Sequence, residues 1–219
     1  MPKKILVREV DDEIHNQLNK IANELGVSLN SIAKDALDKW IKHRSEMPKK
    51  HDLIIYGDEK ALQNLLKSMD RFAKEGNWFR AFCGPPTNSA VKLLSKLKWF
   101  DGTIKPYKTD QKNISKYCGS IIQNIDKESK ENNVCCTDFI LEDISRSSFK
   151  DALLIEKSYN KFRINGMMFC LYHTNTLLGA GIEDIMDLFV QHDQIFILKG
   201  DELHKLHVTK ENLHKLFMN

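Results

Sequence analysis

No stretch of this chain approaches the ~18 consecutive apolar residues that a membrane-spanning helix requires, and that lack argues against an integral membrane protein. The basic start at Lys3 and Lys4 is broken by acidic residues from Glu9 to Glu13. No secretory core follows, and a cytoplasmic protein without a membrane partner is expected. Cysteine is scarce: five residues, an odd number, with no C-x-x-C pair. A disulfide framework is set aside, and reduced, buried thiols are expected. Charge of one sign is scarce too. The net charge is +3 over 219 residues, and residues 1–50 carry ten Lys/Arg against eight Asp/Glu, or +2. Any nucleic-acid contact must therefore rest on the placement of a few charges. Internal repeats and low-complexity tracts are also missing.

What is present is an ordinary globular composition, 42% hydrophobic and 29% charged, long enough for one large domain or for a small one plus a medium one. The first fifth opens with a strand of a few residues, "KKILVRE". From Ile14 the apolar residues Leu18, Ile21, Ala22 and Leu25 follow at offsets 4, 7, 8 and 11, one face of a helix. Asp11 or Asp12 can cap its start, and Gly26 can end it in the left-handed conformation. Ser28 suits the cap of a second helix, whose apolar set is Leu29, Ile32, Ala33, Ala36, Leu37, Trp40 and Ile41. A lone strand cannot satisfy its own backbone groups, and a unit of roughly 45 residues cannot bury both apolar stripes. The simplest solution is a homodimer, or a higher even oligomer, in which the strand pairs with its own copy.

In element order, the "ELGVSLNS" turn and the cap, residues 3 to about 44 resemble the ribbon-helix-helix DNA-binding domain of the Arc/MetJ/CopG repressors. The resemblance implies a dimeric βαα domain over residues 1–46, with double-stranded DNA as partner and an antiparallel ribbon in the major groove. With Ile5 and Val7 turned to the helices, alternation puts Lys4, Leu6 and Arg8 on the outer face. Arg8 can then read guanine O6/N7, Lys4 can meet a base edge or phosphate, and Leu6 can touch a thymine methyl. Ser28, Leu29 and Asn30 stand where free helix N–H groups hold a phosphate. The competing reading is a scaffold that the ribbon dimerises without DNA.

"RSEMPKKHD" marks a boundary, because Pro48 disfavours helix at Met47. Beyond it, strand-like and helix-like segments alternate. "DLIIYG" precedes a helix over 58–75 and "WFRAFC" a helix over 87–98, with a further helix expected over 110–131. "VCCTDFIL" precedes a helix over 147–162 and "GMMFCLYH" one near 180–191, before "QIFIL" and a tail with a short helix capped by Thr209. The strands are near-continuous apolar runs. Such runs suit a mostly parallel sheet covered on both faces, a three-layer α/β domain over residues 51–219.

"EGNWFRAFCGPPTNSAVKLL" resembles the strand–turn–helix of the RecA/KaiC class, where Gly-Pro-Pro opens a phosphate loop. No G-x-x-x-x-G-K-[ST] is present, and Thr87-Asn88-Ser89-Ala90 stands in its place. Nucleotide binding is thus the alternative reading, and no enzymatic activity is expected. "HDLIIYGDEKALQNLLKSMDRFAKEGN" and "LIEKSYNKFRINGMMFCLYHTNTLLGAGIEDIMDLFVQHDQIFI" resemble the MEDS sensory domain, a degenerate relative of that class. This resemblance implies a small-molecule ligand and a transcriptional regulator.

In open α/β sheets ligands bind beyond the carboxyl ends of the strands. That rule selects Gly84 and Thr87 after one strand, Glu142 and Asp143 after another, and Cys170, Tyr172 and His173 on a third. Glu156 and His192 are added as helical candidates, with His192 also suited to cap a helix end. Cys170-x-x-His173 invites a metal, but strand alternation turns the two side chains to opposite faces. The sequence reading therefore assigns no metal and no cofactor.

Overall fold

The structure, a computed structural model, describes residues 10–45, 51–107, 113–159 and 164–206. The expected strand with Lys4, Leu6 and Arg8, and the expected tail helix at Thr209, lie outside these residues. The chain divides into two compact units, Met1–Met47 and Pro48–Asn219. Among the described residues no helix is long and apolar enough to cross a membrane.

The first unit holds α1 (Asp12–Leu25) and α2 (Leu29–Ser45). Asp11 caps α1, its Oδ1 accepting from the Glu13 N–H at 2.8 Å. Gly26 ends the helix at φ 64°, where a side chain would be strained. Ser28 Oγ accepts from the Ser31 N–H at 3.1 Å at the start of α2. Among the described residues the apolar stripe of α1 stays largely uncovered. Ile14, Ile21 and Leu25 are 54, 42 and 67% exposed, and Ala22 is the buried residue of α1.

The second unit is built on a seven-stranded sheet in the order β3-β2-β4-β5-β1-β6-β7. Its strands are β1 (Asp52–Tyr56), β2 (Phe79–Cys83), β3 (Phe100–Asp101), β4 (Val134–Asp138), β5 (Gly166–His173), β6 (Ile195–Lys199) and β7 (Glu202–Leu206). All neighbours pair in parallel except β6 and β7. α3 (Glu59–Glu75) and α4 (Ser89–Lys96) cover one face, packing on Ile54, Tyr56, Phe82, Cys135 and Leu171. α5 (Ile114–Ser129), α6 (Ile140–Ser147), α7 (Phe149–Tyr159) and α9 (Ile182–Gln191) cover the other, over Leu53, Ile55, Val134, Cys136, Cys170 and Tyr172. Alternate residues of β1, β2, β4 and β5 thus feed opposite cores, which is why these strands read as near-continuous apolar runs. α8 (Thr174–Leu178) follows β5 directly. Gly166 enters β5 at φ 136°, and a Cβ there would meet the Val134 backbone at 2.2 Å, so only glycine fits.

Three segments differ from the sequence expectation. "FIL" does not extend β4: Asp138 Oδ1 accepts from the Ile140 N–H at 2.6 Å and starts α6 at once. Glu142 and Asp143 consequently sit in the first turn of a helix, not at a strand end. The helix expected over 147–162 is α7, which begins at Phe149 and is set off from α6 by Ser148. β3 and β7 were not expected. β7 is the second arm of a hairpin turned at Gly200 (φ 58°), a geometry hidden by the polar "DELHKL".

Candidate functional site

The carboxyl end of the sheet comes first, because ligands of open α/β folds gather there. After β1, Asp58 Oδ1 accepts from the N–H groups of Lys60 and Ala61 at 2.7 and 2.8 Å. After β2, Asn88 Oδ1 accepts from Ala90 and Val91 at 2.8 and 3.3 Å. Both helix N-termini are thus satisfied by the chain's own side chains, and an aspartate with Glu59 beside it repels a phosphate. Gly84 is buried, its hypothetical Cβ only 2.8 Å from that of Phe139, while Thr87 is exposed in the following turn.

Glu142 is buried and fully engaged. It accepts from Tyr56 OH at 2.9 Å, from Arg146 at 3.0 Å and from the His173 N–H at 3.3 Å. Arg146, Phe149 and His173 line a cavity of ≈ 550 Å³, while Gly84, Val91, Thr103 and Tyr107 line a separate one of ≈ 600 Å³.

The remaining candidates converge elsewhere. Glu156 of α7 is fully buried, not a solvated helix face, and its two oxygens divide their partners. Oε1 accepts from Tyr172 OH at 2.9 Å. Oε2 is hydrogen-bonded to His51 Nε2, and faces His192 Nε2 at 3.6 Å and Cys170 Sγ at 3.8 Å. His51 and His192 meet edge to face, ring centroids 4.4 Å apart. His192 Nδ1 lies 2.8 Å from the Leu188 carbonyl oxygen. A carbonyl only accepts, so Nδ1 carries the proton there. One atom each from His51, Glu156, Cys170 and His192 falls within 4.8 Å of the others.

Desolvation governs the titration of this cluster. Burial pushes the Glu156 carboxyl up, against the opposing pull of His192, Tyr172 and Cys170. Burial, reinforced by the Glu156 charge, pushes the Cys170 thiol and the Tyr172 phenol well up. Nearby, Tyr159 OH donates to Asp138 Oδ2 at 2.8 Å. Burial raises that carboxyl to about 6.

The strand order explains the assembly. His51 immediately precedes β1 and His192 lies just ahead of β6, its neighbour in the sheet. Cys170 on β5 pairs in register with Leu53 near the beginning of β1. The cluster therefore sits toward the amino ends of β1 and β6, away from the carboxyl-end crevice the sequence reading favoured. Of the expected ligand residues, the fold brings together Glu156, Cys170, Tyr172 and His192. Gly84, Thr87 and Glu142 lie apart from them. His173 turns away from Cys170, its Nδ1 accepting from the Asn175 N–H at 3.1 Å to cap α8. His51 was missed as a site residue; its one sequence signal was an imidazole directly before an apolar strand. Ser28, Leu29 and Asn30 stand at the start of α2, with Leu29 half-buried and the other two exposed.

No family model and no curated protein matches this chain. Among solved structures, a Pyrococcus horikoshii OT3 protein is similar at a TM-score of 0.50 and 10% identity, over 74% of this chain and 89% of that one. A prototypical ATPase from the type III secretion system of pathogenic bacteria is similar at 0.42 and 11% identity, over 78% of this chain and 54% of its own. The first likeness is one of fold alone, and the second is too loose to define even that.

Proposed function

We propose that the chain is a dimeric, DNA-binding transcriptional regulator whose residues 1–46 form a ribbon-helix-helix unit. In this reading residues 51–219 are a MEDS-like sensory domain, a degenerate relative of the RecA/KaiC class. They bind a small ligand without turning it over. The observation that carries the reading is the uncovered stripe of α1, with Ile14, Ile21 and Leu25 between 42 and 67% exposed, beside a second unit whose core is complete. A second copy of the chain is the occupant that also supplies the partner for a lone strand. The self-capped helices after β1 and β2 support a sensor over a nucleotide-binding protein, because they offer no phosphate cradle.

The test is operator selection from a random DNA library with the full-length protein, followed by affinity measurement across salt concentrations. Arg8→Ala costs on the order of 1–3 kcal/mol on the selected operator through loss of a bidentate base contact. Lys4→Ala weakens all sequences alike and flattens the salt dependence. A protein that sediments as a monomer at micromolar concentration, or binds no DNA above background, overturns the reading in favour of another role for the N-terminal unit.

A further inference from the structure

From the convergence of His51, Glu156, Cys170 and His192 on one buried point, we infer a binding site for a single divalent transition-metal ion of the Zn²⁺ class. The inference concerns the α/β unit alone and stands whether or not residues 1–46 bind DNA. Two imidazole nitrogens, one thiolate and one carboxylate are a donor set that borderline-soft cations take, and that Ca²⁺ or Mg²⁺ does not. With Zn–N and Zn–O near 2.0–2.1 Å and Zn–S near 2.3 Å, the edges of a tetrahedral site measure about 3.3–3.7 Å. The separations of 3.6 Å from Glu156 Oε2 to His192 Nε2 and 3.8 Å to Cys170 Sγ already approach those edges. As the ion enters, the proton held between His51 Nε2 and Glu156 Oε2 and the Cys170 thiol proton are released to solvent. The neutral His51 ring keeps its proton on Nδ1, and the freed atoms bind the metal.

The surroundings orient the donors as metal sites require. His192 gives its Nδ1–H to the Leu188 carbonyl, which leaves the Nε2 lone pair directed at the cluster. Tyr172 OH holds Glu156 Oε1, so Oε2 is the oxygen presented. Charge agrees with burial: a thiolate and a carboxylate neutralise a divalent ion, so a site with Glu156 and Cys170 at 0% exposure holds no net charge. Of the four donors the His51 side chain stands nearest solvent, at 3% exposure, while the His192 imidazole is fully buried. Four protein ligands close the coordination sphere, which makes the site structural or sensing and not hydrolytic. His173 is not among these donors, since its Nδ1 accepts from the Asn175 N–H. The thiol's partners are residues that sequence spacing does not reveal.

The experiment is a Co²⁺ titration of the full chain after chelator treatment and reduction, under anaerobic conditions. The expected result is saturation at one equivalent, with the visible bands of tetrahedral Co²⁺ and a thiolate-to-cobalt charge-transfer band, all abolished by equimolar Zn²⁺. Cys170→Ser removes the charge-transfer band. Tyr172→Phe, which touches no ion, weakens binding about 10- to 100-fold. His51→Ala and His192→Ala weaken it by more than about 100-fold, the larger effect expected of a direct ligand. Circular dichroism confirms that each variant is folded. Should Cys170→Ser fail to fold, the wild-type charge-transfer band and Tyr172→Phe still decide. Absence of saturable binding, a Co²⁺ spectrum without thiolate character, or an unchanged spectrum in Cys170→Ser overturns the site.

Discussion

The two units of this chain solve the burial problem in opposite ways. The α/β unit packs two separate cores against the two faces of one sheet, with Leu53, Leu62, Ile121 and Leu171 fully buried. The N-terminal helices carry an equally regular apolar stripe and leave much of it in water. Amphipathic periodicity thus announces that a face will be covered, but it does not say whether the cover belongs to the same chain. A large unit can supply its own cover, whereas a unit below ~50 residues has too little surface to fold back on itself.

The sharpest way to break the comparison is to truncate one leucine in each unit. Leu62→Ala removes a fully buried side chain from α3 and is expected to cost about 2–5 kcal/mol in chemical denaturation of residues 48–219. Leu25→Ala, at 67% exposure, is expected to leave that transition unchanged and to shift only the concentration dependence of sedimentation. Equal effects of both on one cooperative transition would show that the units fold as a single body.

A smaller effect tests the electrostatics of the self-sufficient core. Burial raises the Asp70 carboxyl, but Lys74, Trp99 and Arg80 donate to it, and together with the Lys74 charge they hold it below its ordinary 3.8. A carboxyl depressed in the folded state contributes stability above its unfolded value and loses it as pH falls through the folded one. Stability is therefore expected to decline as pH drops below about 4. Asp70→Asn should flatten that decline and cost about 1–3 kcal/mol at neutral pH, through weaker hydrogen bonds to Arg80 and Trp99. Urea melts of both proteins between pH 3 and 7 check this; parallel pH profiles would refute it.

The smallest effect belongs to the exposed unit. Asp11→Ala deletes the cap on Glu13 N–H and is expected to cost about 1 kcal/mol of α1 stability. Hydrogen exchange at the first turn of α1 reads it, and unaltered protection there would mean that the cap contributes nothing.

Local features of this chain were legible because their causes are local. Asp11, Gly26 and Ser28 announce the limits of two helices through bonds and backbone angles that span a few residues. The apolar runs around Ile54, Phe82, Cys136 and Leu171 announce strands buried on both faces, since each side chain must be apolar whichever way it points. Asp138 shows where such reading stops: its hydrogen bond to Ile140 ends β4 and begins α6 within "VCCTDFIL", which reads as a single strand. β7 shows it again, since a polar edge strand carries no apolar alternation to read.

By itself, then, the sequence determined the two N-terminal helices with their caps, the buried strands and a two-unit chain with an apolar stripe in need of cover. Only the tertiary structure decided that His51 and Glu156, 105 positions apart, share a hydrogen bond, and that Cys170 and His192 close around the same carboxylate. Strand order did this. β5, β1 and β6 lie side by side although they are far apart in the chain, and strand neighbours are chosen by the packing of the whole sheet, which no local spacing encodes.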